Sequence, residues 1–395
     1  MTTTESDPAP ASPPTRRSLP WLVNGLANLA VITVLSLASW YLLVDPAWSP
    51  FGLYPQPFLA VVFWSLLTVV WIGFNLEFYG FDRLGQPWRG LLLIGVVAVV
   101  ATAITIAFAR GYGLFDPTFA AGREGGTGYL AGALWVLFGF FFYVTSVVNW
   151  GNWPWSGSGL SQPWLGLGQL SLLVLPTTVV YLVLAVPSVA AWGAPVAPLL
   201  DANTLIGWFY SVIISVVITG LLTENWPWRL AGSPGRVAAA AVVGNVVAGT
   251  GIYLVLRPLT ELLLGAVDTA AIGPAITSFP AQLGVCWVFW MILWQNCFGN
   301  KPDGLAPAAR YLTRLAVTLA LGIATFVLYY RALAGSVLHE PALTPRLSGN
   351  ALGWMDWMVL WTLFYVLCLQ SWGLPKAAPE PEPPPRAEPV AEKVS

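Results

Sequence analysis

Charge is what this chain has least of. Only 9% of its 395 residues are charged, where a soluble domain carries about 25%. A water-facing surface of ordinary composition cannot be built from that supply. Histidine is nearly absent: His339 is the only one, which excludes a haem held by paired histidines and any histidine-rich metal centre. The three cysteines, Cys286, Cys297 and Cys368, lack paired spacing and fall inside apolar runs. They read as small core residues rather than disulfides or ligands. There is no GxxxxGK[ST] phosphate loop and no GxSxG nucleophile elbow. A net charge of −1 gives no basic surface for nucleic acid. No cofactor, no nucleic-acid partner and no catalytic residue is expected.

Apolar sequence is what remains. Hydrophobic residues make up 57% of the chain. Ten long apolar runs lie near 21–44, 57–78, 89–109, 128–149, 165–186, 204–224, 235–256, 280–299, 311–331 and 352–372. Each is close to the roughly 20 residues that a bilayer-spanning helix needs. None alternates in the roughly 10-residue segments of a membrane barrel. The fold class is therefore all-α, a polytopic transmembrane bundle over residues 20–373 with the lipid bilayer as its first partner. Polar tails are expected at 1–19 and 374–395. "TRRSL" resembles a twin-arginine export signal, but the apolar run after it is too long and no small-residue cleavage site follows. It reads as a positive anchor. The C-terminal "PKAAPEPEPPPRAEPVAEKVS" reads as an extended tail able to meet a protein partner.

One phrase recurs. Residues 152–155 and 225–228 both read "NWPW". Aligning the ends of the even-numbered runs on Asn75, Asn152, Asn225, Asn296 and Ser371 gives intervals of 77, 73, 71 and 75. Seventeen residues before each anchor stands an aromatic: Phe58, Trp135, Trp208, Phe279 and Trp354. The chain thus reads as five tandem two-helix repeats of about 74 residues. Their anchors would lie at the cytoplasmic interface, where Trp suits the boundary and Asn satisfies loose carbonyls at a helix end. Repeats of two helices all share one orientation, which argues against an inverted-repeat transporter.

The first helix of each repeat is rich in small residues, as in "GRVAAAAVVGNVVAGTG"; the second is aromatic. That contrast predicts an inner ring of the first, third, fifth, seventh and ninth helices. Five helices packed about 8–10 Å apart would leave a lumen of roughly 2–3.5 Å radius. Asn28, Thr105, Thr178, Asn245 and Thr250 form the expected polar layer facing it. Glu77 and Glu224 are candidate acids of a cytoplasmic vestibule, or else partners of Arg83 and Arg229. Asp356 reads as an acid at a helix N-terminus, and Arg257 with Glu261 as a local ion pair.

Three functions are weighed on this basis. The first is a channel or facilitator for a small solute or ion. The second is a scaffold, sensor or assembly subunit. The third is a lipid or glycosyl-transfer enzyme. Asp45 after the first helix resembles the acid of lipid-carrier glycosyltransferases, but no second acidic motif appears in the outer loops. The expected location is a bacterial cytoplasmic membrane. Lys and Arg divide twelve to five between the two sides, which places both termini in the cytoplasm. Reporter fusions test this: a fusion after Ser395 should report cytoplasm and one after Pro198 the opposite side. A periplasmic signal after Ser395 overturns the orientation.

Overall fold

A computed structural model describes residues 19–115, 127–189 and 198–375. Most of both expected tails, and Arg123, lie outside the described residues. Within lipid, backbone polar groups must be satisfied inside the chain, and apolar runs therefore fold as helices. Ten described helices are long and apolar enough to cross a membrane: α1 (Trp21–Leu43), α2 (Phe58–Asn75), α3 (Trp88–Phe115), α4 (Gly128–Val148), α5 (Trp164–Leu184), α6 (Ala202–Leu222), α7 (Pro234–Leu264), α8 (Ala266–Cys297), α9 (Pro307–Leu333) and α10 (Ala351–Cys368). Such a set is what an integral membrane protein requires. Asp201 and Asn350 cap α6 and α10, accepting the N–H of Thr204 at 3.0 Å and of Leu352 at 3.1 Å. The even-numbered helices all finish at one end of the bundle, where α1 begins; we call it the near end, and the opposite one the far end.

The two helix sets occupy different layers. In α2, α4, α6, α8 and α10, 67% to 78% of the most apolar window is buried; in α1, α3, α5, α7 and α9 the share is 22% to 28%. The buried helices close a ring: α2 packs on α4, α4 on α6, α6 on α8, α8 on α10, and α10 back on α2. This reverses the expected order, because the aromatic helices are inside and the small-residue helices outside. The physical reason lies in which face the small residues serve. Lipid is as apolar as a leucine side chain, so helices associate through close packing. Small residues on the outer helices let their backbones press onto inner ones. Gly249 of α7 lies against the backbone of Val212, where any Cβ would clash. The large aliphatics of the outer helices, such as Val34, Leu91, Val99, Leu175, Val247 and Leu254, are exposed and form an apolar belt suited to lipid.

Each outer helix packs on the inner helix that precedes it in the chain: α3 on α2, α5 on α4, α7 on α6 and α9 on α8. The first helix, α1, packs on the last, α10, which completes the circle. Indole N–H groups fasten several of these pairs. Trp135 donates to Thr178 Oγ1 at 3.2 Å, Trp208 to Thr250 Oγ1 at 2.9 Å, Trp290 to Thr325 Oγ1 at 2.8 Å, and Trp357 to the Ser36 carbonyl at 3.1 Å.

All five inner helices end in one backbone shape. The N–H groups of Phe78, Asn152, Asn225, Asn300 and Ser371 donate to carbonyls six residues earlier, at 2.7 to 3.0 Å. At each place two successive residues have positive φ: Glu77 and Phe78, Gly151 and Asn152, Glu224 and Asn225, Gly299 and Asn300, Gln370 and Ser371. Asn and Gly tolerate that conformation best, which accounts for the Asn of "NWPW". Asn75 and Asn296 do not occupy this place. They stand three and four residues before it, so the positions equivalent to Asn152, Asn225 and Ser371 are Phe78 and Asn300. In this register the residues seventeen earlier in α2 and α8 are Val61 and Leu283, and the regular aromatic of the sequence alignment disappears there.

The turns free a carbonyl three residues before each of these positions, and a side chain from elsewhere donates to every one. Gln162 reaches Asn75 O at 3.0 Å, Arg314 reaches Leu222 O at 3.3 Å, Asn24 reaches Cys297 O at 2.8 Å, and Gln86 reaches Cys368 O at 2.8 Å. Asn225 itself caps Asn149 O at 2.9 Å. Asn225→Ala should therefore leave a carbonyl and the Asn149 amide short of partners, lowering stability by about 1–3 kcal/mol. Thermal unfolding in detergent measures it; an unchanged midpoint would mean that the cap contributes nothing.

Candidate functional site

The inner ring encloses a cavity of about 310 Å³ on its axis, lined by residues from all five inner helices. That is near the lower end of the roughly 300–1,000 Å³ usual for ligand pockets. Its walls follow from the helix register. Counted back from the shared turn, one level holds Val70, Val144, Val217, Ile292 and Leu363, each eight residues earlier. The next level holds Leu66, Phe140, Ile213, Val288 and Val359, each twelve residues earlier. Two aliphatic rings thus surround the axis, with Phe140 the one aromatic in them. The near end is the mouth, where Phe74, Leu221, Gln295 and Asn296 line the cavity and are partly or wholly exposed.

The deep end is polar. Tyr210 and Asp356 both line it, fifteen residues before their helix turns, and Phe63 stands at the same level of α2. Asp356 is 4% exposed. Its Oδ1 accepts the Tyr210 hydroxyl at 3.3 Å; its Oδ2 has no partner. Beyond this floor Gln282, itself buried, accepts the Tyr330 hydroxyl and the Ala351 N–H. The sequence marks Asp356 only as an acid at a helix N-terminus. What it misses is direction, which only the ring decides.

None of the five residues expected in the polar layer lines the cavity, a consequence of the reversed layers. Asn28 is buried between α1 and α10, accepting the Ser371 hydroxyl at 2.7 Å. Thr105 is buried on α3 with no hydrogen-bond partner for its hydroxyl. Thr178 and Thr250 accept the indole N–H groups already described. Asn245 is fully buried where α4, α6 and α7 meet. It accepts the hydroxyls of Ser215 at 2.8 Å and Thr219 at 3.2 Å and donates to Asn149 Oδ1 at 3.3 Å.

The anchor residues also part company. Asn75 is buried, donating to Ser146 Oγ at 3.4 Å, whereas Asn296 is exposed at the mouth. Asn152 and Ser371 sit in the shared turn with Asn225. Of the two vestibule acids, Glu77 is exposed and does not line the cavity. Glu224 is held by Arg310 at 3.0 Å, Arg314 at 3.3 Å and the Tyr311 hydroxyl at 3.1 Å, all on α9. Arg229 touches only its backbone carbonyl, at 3.3 Å. Arg257 and Glu261 pair at 3.4 Å, as their spacing implies.

A second set of buried acids meets the segment between α9 and α10 at the far end: Asp45 after α1, Asp268 in α8 and Glu340 in the segment itself. Asp45 contacts His339 Nδ1 at 2.8 Å and accepts the N–H groups of Ala47 and Trp48. Asp268 pairs with Arg346 at 3.0 Å and accepts the Thr344 hydroxyl at 3.0 Å. Glu340 accepts the hydroxyls of Tyr54 at 2.9 Å and Tyr329 at 2.7 Å and the Asn350 N–H at 2.8 Å, all on Oε2. Gly349, at φ 86°, lies against that carboxylate where a Cβ would clash. These contacts tie the segment across the far end. No group of three or more His, Cys, Asp or Glu suited to a metal ion occurs among the described residues. Compared with known proteins, the chain matches no family model, no curated protein and no solved structure.

Burial raises the Glu340 carboxyl from 4.5 to about 7, against the lowering effect of its hydrogen bonds to Tyr329, Asn350 and Tyr54. The folded chain therefore holds a proton that the unfolded chain has released between those values. Its contribution to stability is complete below pH 4.5 and is lost as pH rises through about 7. Unfolding midpoints measured from about pH 5 to about pH 8 should fall for the native chain. Glu340→Gln should flatten that slope, and an unaltered slope in the variant would place its origin elsewhere.

Proposed function

We propose that the chain is a facilitator for a small solute, built from five tandem two-helix repeats around a pseudo-five-fold axis. The axial cavity is its passage, entered from the near end, which we take as the cytoplasmic side of a bacterial membrane from the Lys and Arg distribution. One observation carries this reading: all five inner helices contribute to a single axial cavity at matching levels of a shared register. Rings of aliphatic side chains around an axis act as gates by excluding water. Here two such rings lie above a polar floor, so the passage is closed at the far end in this conformation. The sealed floor also supports a second reading, a membrane sensor that holds a small ligand without conducting it.

Two measurements on the full chain in liposomes separate the readings. In a cysteine-free background, Val217→Cys should react with a small membrane-impermeant thiol reagent from the near side only. Stopped-flow light scattering should then show protein-dependent entry of small neutral or cationic solutes, reduced by Val217→Trp. Labelling without flux favours the sensor. Neither labelling nor flux overturns both.

A further inference from the structure

The floor of the cavity holds a carboxyl group with no cationic side chain beside it among the described residues. Among the described residues no Lys, Arg or His lines the cavity, and Tyr210 supplies the one side-chain hydrogen bond to Asp356. An ionisable residue inside a membrane span marks a functional site by default, because placing it there without a partner is costly. The carboxylate alone would allow a metal ion, a proton or an organic cation. The walls discriminate among these. A small inorganic cation needs several oxygen ligands to replace its water. The cavity offers it two oxygen-bearing side chains at the floor and two aliphatic rings on the way there. An organic ammonium brings an apolar body of its own, so rings that repel a hydrated ion attract it.

Aromatic placement points the same way. Phe63 and Tyr210 stand at the level of Asp356, and Phe140 one turn nearer the mouth. Their ring faces favour a cation over a neutral or anionic group. The volume, about 310 Å³, suits a compact molecule.

We infer that the axial cavity binds a small organic ammonium, its nitrogen donating to the Asp356 carboxylate and its apolar body filling the space between the aliphatic rings. This inference rests on the cavity being the functional site and assigns its ligand class. Asp356 is then the residue that selects charge, and Val217 with its four ring-mates selects size.

Calorimetry on the full chain in nanodiscs tests it with three probes of one shape: benzylammonium, benzyl alcohol and benzoate. Benzylammonium should bind one to one, roughly tenfold or more tighter than benzyl alcohol, the factor that a charge-assisted hydrogen bond supplies. Benzoate should not bind. Asp356→Asn should remove the advantage of the amine over the alcohol, Asp356→Glu should retain most of it, and Val217→Trp should abolish binding of both. Equal affinity for amine and alcohol in the native chain overturns the inference, as does an advantage that survives Asp356→Asn or binding that survives Val217→Trp. If Asp356→Asn does not fold, the native comparison and Val217→Trp still decide. Binding of the amine without flux leaves the inference standing while the facilitator reading fails. Flux of neutral solutes without preference for the amine does the reverse.

Discussion

A helix that ends near a bilayer must find donors for its last carbonyls, and the arrangement of this protein grows from how it does so. The five inner helices finish in a tight turn that frees one carbonyl each. Gln162, Asn225, Arg314, Asn24 and Gln86 donate to those carbonyls from other helices or turns. Three of the five donors open or flank an outer helix and a fourth, Arg314, lies two turns inside one, so the cap that satisfies an inner helix also sets where an outer helix sits and at what height. An unsatisfied carbonyl there would cost about 1–3 kcal/mol, and five of them would be a large fraction of a marginal stability. The ring, the position of the outer helices and the mouth of the cavity all follow from this end chemistry.

Packing then determines the layers. Without water to drive helices together, the most rewarding contacts come from large side chains with many neighbours. The aromatics Trp64, Phe138, Phe209 and Phe279 are all buried, with Trp64 stacked on Trp135 at 5.4 Å and Phe138 edge-on to Phe209 at 4.5 Å. These rings fill the wedges between helices. They leave the axis mostly to aliphatic side chains, with Phe63, Phe74, Phe140 and Tyr210 among them, and these do not fill it. The cavity is thus a geometric remainder of five helices in a ring, and its apolar walls come from the same residues that pack the ring.

Many polar groups inside the bundle are tied into structure. Asn245 joins Ser215, Thr219 and Asn149 into one network, and Glu340 binds two tyrosines and a backbone amide from within the far-end segment. Asp356 lines the axial cavity, with one oxygen paired and the other without a partner. In the proposed function, that carboxyl group gives the cavity its chemical preference.

The sequence determined the class and the spans. Shortage of charge and ten apolar runs are properties of composition and length, and a bilayer leaves them no other fold than a helix bundle. It also marked the turns through Asn152 and Asn225, because positive φ restricts residue type. It did not show that Phe78 and Asn300 take the same turn, since backbone hydrogen bonds, and not side-chain identity, define that place. Nor did it reveal which helices are inside. Small residues mark close approach of two backbones and do not say on which side the neighbour lies; for Gly249 it is Val212 of an inner helix, not an axial space. Asn28 and Asn245 are polar in mid-span for interhelical bonds, whereas Asp356 faces the axis. A sequence read one helix at a time gives each residue an angle about its own helix. Only the closed ring converts those angles into inside and outside, because the direction of the centre is set by all five inner helices together.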